Sequence, residues 1–192
     1  ANLLGMTAAG VIDVTTTTNN AATLAATTSA GTINYRDADA LTVGTVATQT
    51  VSNATFAATT GLVTTGTGTD ILVQTGGAQT LAQALTAANT GNVRLASGAG
   101  ISQTGGSITA NLLGMTAGGA IDVTVSTNNA ATLAATTSAG TIAYRDTDAL
   151  TVGTVGAQTV GSATFAATNG LVTTGTGTDI LVQTGGAQTL TQ

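Results

Sequence analysis

The strongest constraint on this chain is an internal repeat of 109 residues. Residues 1–83 align onto 110–192 without a gap, and 71 of the 83 pairs are identical. The 12 differences fall at positions 9, 11, 16, 17, 34, 38, 47, 48, 52, 53, 60 and 82. A chain of 192 residues that accepts nearly the same segment twice in succession points to a stacked architecture. Residues 1–109 form one complete repeat, and 110–192 a partial second one continuous with it. The pattern starts and stops inside a unit, as expected for a segment of a longer array. Identity this close also follows from recent duplication, so an unchanged residue carries no functional meaning by itself.

Inside the repeat lies a shorter rhythm. Apolar-x-apolar triplets occur at Ile12-Asp13-Val14, Ile33-Asn34-Tyr35, Ala54-Thr55-Phe56, Ile71-Leu72-Val73 and Val93-Arg94-Leu95, and return at Ile121-Asp122-Val123. The spacings are 21, 21, 17, 22 and 28, a mean of 21.8 over five units. Glycines at 10, 31 and 91 stand two positions ahead of three triplets, and a second apolar group follows most of them. Alternation within a triplet turns two side chains inward and one outward, the period of a strand. One coil of about 20 residues with short strands is a rung of a solenoid, which buries its apolar side only by stacking on its neighbours.

Composition agrees with a narrow core. The chain holds 46 Thr, 36 Ala and 26 Gly. Thr favours strands, while Ala and Gly permit close backbone approach. The expected fold is therefore all-β, a parallel β-helix with about five rungs per 109-residue repeat, each repeat about 24 Å long at the usual strand spacing. The register predicts that Tyr35 stacks beside Phe56, with Tyr144 and Phe165 as their second-repeat counterparts, and that Arg94 lies one rung from Asp122 on the surface. The long interval after Val93 predicts an extra strand or bulging loop from Gly105 to Met115. Residues 78–88 carry Leu81 and Leu85 at helical spacing, but their context favours strand. An antiparallel sandwich is the competing fold; it calls for tight Asn-Gly or Asp-Gly hairpins, and Asn169-Gly170 alone fits.

The run Gly91-Asn92-Val93-Arg94-Leu95-Ala96-Ser97-Gly98-Ala99-Gly100-Ile101-Ser102-Gln103-Thr104-Gly105-Gly106-Ser107-Ile108-Thr109-Ala110 resembles the repeats of filamentous-haemagglutinin-like giant secreted proteins. Gly31-Thr32-Ile33-Asn34-Tyr35 matches the same pattern. The resemblance implies a right-handed parallel β-helix, export across a Gram-negative outer membrane, and a role in adhesion or extracellular matrix.

The residue inventory narrows the chemistry. The chain has no His, Cys, Lys, Glu, Pro or Trp, which removes disulfides, Cys/His zinc sites and nucleophiles that need His, Cys or Lys. Arg36, Arg94 and Arg145 are its only cationic side chains against a formal net charge of −5, so a nucleic-acid partner is not expected. No apolar run is long enough for a membrane span, and the first residues do not read as a signal peptide. All eight acids are Asp. Asp37 and Asp39 in Tyr35-Arg36-Asp37-Ala38-Asp39 share a side if extended, which suits Ca²⁺ or a carboxylate pair. Asp70 closes Thr65-Gly66-Thr67-Gly68-Thr69-Asp70-Ile71-Leu72-Val73, a near match to the calcium β-roll nonapeptide. The competing reading of both is a polar or Gly-rich turn. The two differ in register, since a β-roll points Leu72 inward whereas the solenoid points Ile71 and Val73 inward. Asn53-Ala54-Thr55 is a glycosylation sequon, with Ser162 in the place of Asn53 in the second copy.

The reading of these features together is a non-catalytic segment of a long extracellular fibre or surface shaft. It needs no cofactor and associates with itself end to end, and its sparse charge allows lateral contact between rods. The alternatives are an adhesin that binds a glycan or host receptor through its shaft, and an ice-binding solenoid built on Thr ladders. The expected location is the surface or surroundings of a Gram-negative bacterium.

Overall fold

The computed structural model describes residues 1–192. It is all-β, and eighteen of its strands form one sheet in which every pairing is parallel. Parallel pairing between successive passes of one chain requires it to wind in a single sense, each turn lying on the one before.

Three columns of strands run the length of the winding. In column A, Ile12 pairs with Ile33, then Ile71, Val93, Leu113 and Leu133 in turn, and Leu171–Thr173 follows on Ala135–Thr137. In column B, Leu41 pairs with Gln79, Ile101, Ile121, Ile142 and Ile180. In column C, Ala26 is followed by Leu62, Leu85 and Ile108. One circuit is complete between Val93–Ser97 in A, Ile101–Gln103 in B and Ile108–Ala117, which turns the corner from C back to A. The inward positions of all three columns merge into one core, with Leu24, Ile33, Tyr35, Ile71, Val73, Leu85, Leu95, Ile101, Leu113, Ile121, Leu133 and Tyr144 buried along it.

The rungs do not number five per repeat. From Ile12, column A is revisited at Ile33, Ile71, Val93 and Leu113, and the equivalent residue Ile121 then falls in column B. One repeat therefore makes four full turns and a third of another. Residues 44–61 lie outside the winding, so the remaining 91 residues average about 21 per turn. The Ala54-Thr55-Phe56 triplet, read from sequence as a rung, is one arm of an antiparallel hairpin with Gln49–Val51. Tyr35 accordingly stacks between Val14 and Val73, not beside Phe56. Arg94 lies between Leu72 and Gly114 in column A, whereas Asp122 lies between Ser102 and Ala143 in column B. The fractional turn moves each equivalent residue one column on, which separates that expected pair.

Two local expectations resolve simply. The stretch from Gly105 to Met115 is no surplus, because Ile108 and Leu113 fill columns C and A of an ordinary rung. Residues 78–88 are strands Gln79–Leu81 and Leu85–Ala87, with Ala82–Ala84 turning the corner. The corner from A to B is tight enough to demand glycine. Gly76, Gly98 and Gly118 stack there, and a Cβ on Gly98 or Gly118 would be driven into the carbonyl of the glycine one rung below.

Candidate functional site

The feature that departs from a plain solenoid is the hairpin, present in both repeats. The second copy spans Gly153–Gly170, with Thr154–Val155 paired to Thr168–Asn169 and Gln158–Val160 paired to Ala163–Phe165. It leaves the winding after Leu150–Val152, one column on from the equivalent Leu41–Val43, and returns at Leu171 in column A. Between these points it lies back along column A as a strap.

The seat beneath the strap consists of the outward side chains of five successive rungs. At the root, Val155 presses on Gly114, where an added Cβ would sit 2.9 Å from its Cγ1. Further out, Phe165 packs on Leu72 in a small apolar cluster with Ala163, flanked by Ala96 and Val160. Polar contacts fix the register. Gln158 Nε2 donates to Asp70 Oδ2 at 3.2 Å and Gln74 Nε2 to the Thr164 carbonyl at 3.5 Å. At the tip, Thr15 Oγ1 donates to the Val160 carbonyl at 3.1 Å, Arg36 Nη1 to Ser162 Oγ at 3.3 Å, and Ser162 Oγ to the Thr15 carbonyl. The strap thus ties the rungs of Gly114, Arg94, Leu72, Arg36 and Thr15 together.

Arg94 lies under this strap. It lines a cavity of about 210 Å³ with Gln74, Gly114, Val155, Thr164 and Phe165, and its Nε and Nη1 have no hydrogen-bond partner. Burial lowers the pKa of the guanidinium, and the charge of Asp70 acts in the opposite direction.

The acidic candidates are engaged by the chain itself. Asp37 is buried, and its Oδ2 accepts from the Tyr35 hydroxyl at 2.8 Å and the Ala21 amide at 2.9 Å, while Oδ1 accepts from the Asp39 amide at 3.0 Å. Asp146 repeats this with Tyr144, Ala130 and Asp148. Burial and the hydrogen bond to a neighbouring carboxylate raise the pKa of both tyrosines well above the ordinary phenol value. Asp39 accepts from Asn20 Nδ2 at 2.7 Å, and Asp70 Oδ1 from the Asn92 amide at 2.8 Å. No three acidic side chains converge on one point. The Tyr-x-Asp motif is therefore an internal polar staple between rungs. Asn128 is a second one: its Nδ2 donates to the carbonyls of Val123, Ser126 and Arg145, and its Oδ1 accepts from Gln103 and the Ile108 amide.

Register separates the two readings of the Gly-rich segment. Ile71 and Val73 belong to the solenoid core, and Leu72 points the other way, onto Phe165. The turn itself is held by Thr69 Oγ1 donating to the Gly66 carbonyl at 2.9 Å, with Gly68 at φ 66°. Outward positions of column B read Thr42, Thr80, Ser102, Asp122, Ala143 and Leu181, a mixed series without a long Thr ladder.

The strap contacts made by Val155, Gln158 and Ser162 were not foreseen from sequence. The available signal was the 17-residue interval, which breaks a rhythm near 21, together with Gly44 and Gly61 bracketing the inserted segment. Comparison with protein-family models, curated proteins and solved structures finds no match for this chain. No helix is long and apolar enough to cross a membrane.

Proposed function

We propose that this chain is a non-catalytic structural segment of a long extracellular fibre or surface shaft, built to stack on copies of itself. The observation that carries this reading is that the parallel ladder and its core run through both repeats without a break, so that the second repeat stacks on the first as one more length of the same winding. Each terminal rung leaves a strand edge unpaired, with the core-facing Ile180 and Leu190 exposed on the last rung and Leu4 and Met6 only partly buried on the first. Such edges are templates for pairing with a further rung, and in a solenoid the next rung has the same cross-section. A backbone hydrogen-bond ladder along the axis then becomes continuous through the fibre. The resemblance to filamentous-haemagglutinin-like repeats supports a location at or beyond the surface of a Gram-negative bacterium, and a part in adhesion or matrix formation. The absence of His, Cys, Lys and Glu from the sequence supports the non-catalytic part.

Sedimentation velocity across a concentration series, with electron microscopy of the same samples, tests the proposal. End-to-end oligomers and thin rods of constant width are expected. A chain that stays monomeric at high concentration is incompatible with stacking.

A further inference from the structure

The two straps are nearly the same sequence in two different environments. Phe165 is 4% exposed, but its equivalent Phe56 is 61% exposed, and Val51, equivalent to Val160, is 64% exposed. The difference does not arise at the root. A Cβ added at Gly5 would sit 3.1 Å from Val46 Cγ1, much as one at Gly114 would meet Val155, so the first strap leaves the solenoid in the same direction. Beyond that contact, the second strap lies on rungs of the preceding repeat, and the first strap has no such rungs beneath it. The complementary feature is also present. Leu72, the seat of Phe165, is fully buried, while its equivalent Leu181 is 55% exposed on column B.

We propose that the strap Gly44–Gly61 is a clasp whose partner is another copy of this repeat, with Phe56 closing over that copy's equivalent of Leu72. The clasp deepens the reading of the chain as a stacking unit and rests on it. Each repeat then gives one strap to the repeat before it and offers one seat to the repeat after it, a head-to-tail arrangement that propagates without closing. Because a repeat makes four and a third turns, successive straps leave from successive columns and wrap the shaft in steps of about a third of a turn. A bare solenoid contacts only its nearest neighbours; a strap that spans five rungs links turns that otherwise never touch.

The tip limits how the first strap seats. Gly161, with φ 54°, lies against Thr15, where an added Cβ would run into the threonine hydroxyl. Its equivalent Ser52 has φ 55° and already carries a Cβ. Docking of the first strap therefore extends from Val46 to Phe56, and the threonine at the tip has to rotate aside.

The test compares this chain with one lengthened at its amino-terminal end by a further copy of residues 1–109. Chymotrypsin cleaves after exposed phenylalanine, and cleavage tracks the population of opened strap. In the shorter chain, cutting after Phe56 is expected and Phe165 is expected to resist. In the lengthened chain, Phe56 becomes protected by about tenfold or more, and the susceptible site moves to the added unit's own strap. Unchanged cutting at Phe56 in a lengthened chain whose Phe165 remains protected overturns the clasp. A second measurement uses the lack of native cysteine. Leu72→Cys with Phe165→Cys is the reference pair for mild oxidation. Phe56→Cys, paired with Cys at the added unit's equivalent of Leu72, should close to the same extent; failure where the reference pair closes overturns the proposal. Sedimentation of the same samples separates this from the fibre reading. Protected straps without end-to-end assembly leave the clasp standing and remove the fibre, and assembly with Phe56 still exposed does the reverse.

Discussion

Replacing Phe165 by Ala isolates what the strap contributes to the solenoid. The ring is 4% exposed and closes over Leu72 as the largest member of the small cluster it forms with Ala163. Truncating a buried phenylalanine generally costs about 3–5 kcal/mol. The cavity beside Arg94 already leaves part of the ring's environment open, so a value near the lower limit, about 3 kcal/mol, is expected. Phe56→Ala is the internal control: the same substitution in the same local sequence, but at a ring 61% exposed, is expected to stay within about 0.5 kcal/mol. For a chain of this length, about 3 kcal/mol corresponds to a Tm lowered by roughly 6–12 °C. Thermal and guanidinium unfolding followed by far-UV circular dichroism reads both variants against the parent. Equal losses for the two substitutions would refute the argument, because they would mean that the strap seat adds nothing beyond the hairpin's own packing.

Other consequences are open to measurement. Gly98→Ala forces a methyl into the Gly76 carbonyl and should destabilise by about 2 kcal/mol or more, whereas Gly10→Ala, with open space around it, should be nearly neutral; comparable denaturation midpoints for both would contradict the tight corner. Tyr35 and Tyr144, the only tyrosines, are held protonated in the fold, so their folded pKa values lie above the unfolded value of about 10. The stability they contribute is complete below about pH 10 and is lost as pH rises toward the folded values. Tyrosinate absorbance should therefore appear together with loss of the β signal, and titration near pH 10 with the fold intact would speak against the buried staple. Asn128→Ala removes five hydrogen bonds at a fully buried corner, and a loss of about 3 kcal/mol is expected; a midpoint like the parent's would show the corner is not held there. In fibres, a repeat rises about 21 Å with a rotation near a third of a turn, so three repeats give a period of about 62 Å. Image reconstruction that finds adjacent repeats without relative rotation would exclude the four-and-a-third-turn winding.

How much was legible in the sequence differs from residue to residue. The alternation in Ile33-Asn34-Tyr35 and Ile71-Leu72-Val73 placed Ile33, Tyr35, Ile71 and Val73 in the core, because a strand's side-chain period is fixed by the backbone whatever its partner. Ala54-Thr55-Phe56 shows the same alternation and lies in an antiparallel hairpin outside the winding. Period two belongs to parallel and antiparallel strands alike, so pattern alone could not separate a rung from a strap. The polar staples were half visible: Tyr35 and Asp37 stand out as a motif, but the third member, the Ala21 amide that donates to Asp37, is sixteen residues away and is supplied by the rung below.

From the sequence alone follow the repeat, the strand period and the stacked, parallel architecture, all of which depend on local backbone geometry and on the recurrence of similar segments. The tertiary structure alone decided that a repeat closes after four and a third turns, that Arg94 and Asp122 lie on different sides, and that Phe165 is buried while Phe56 is not. These depend on how many residues each circuit consumes and on which rungs happen to lie beneath a strap. Identical side chains acquire different environments when the surface they would cover belongs to another turn of the chain.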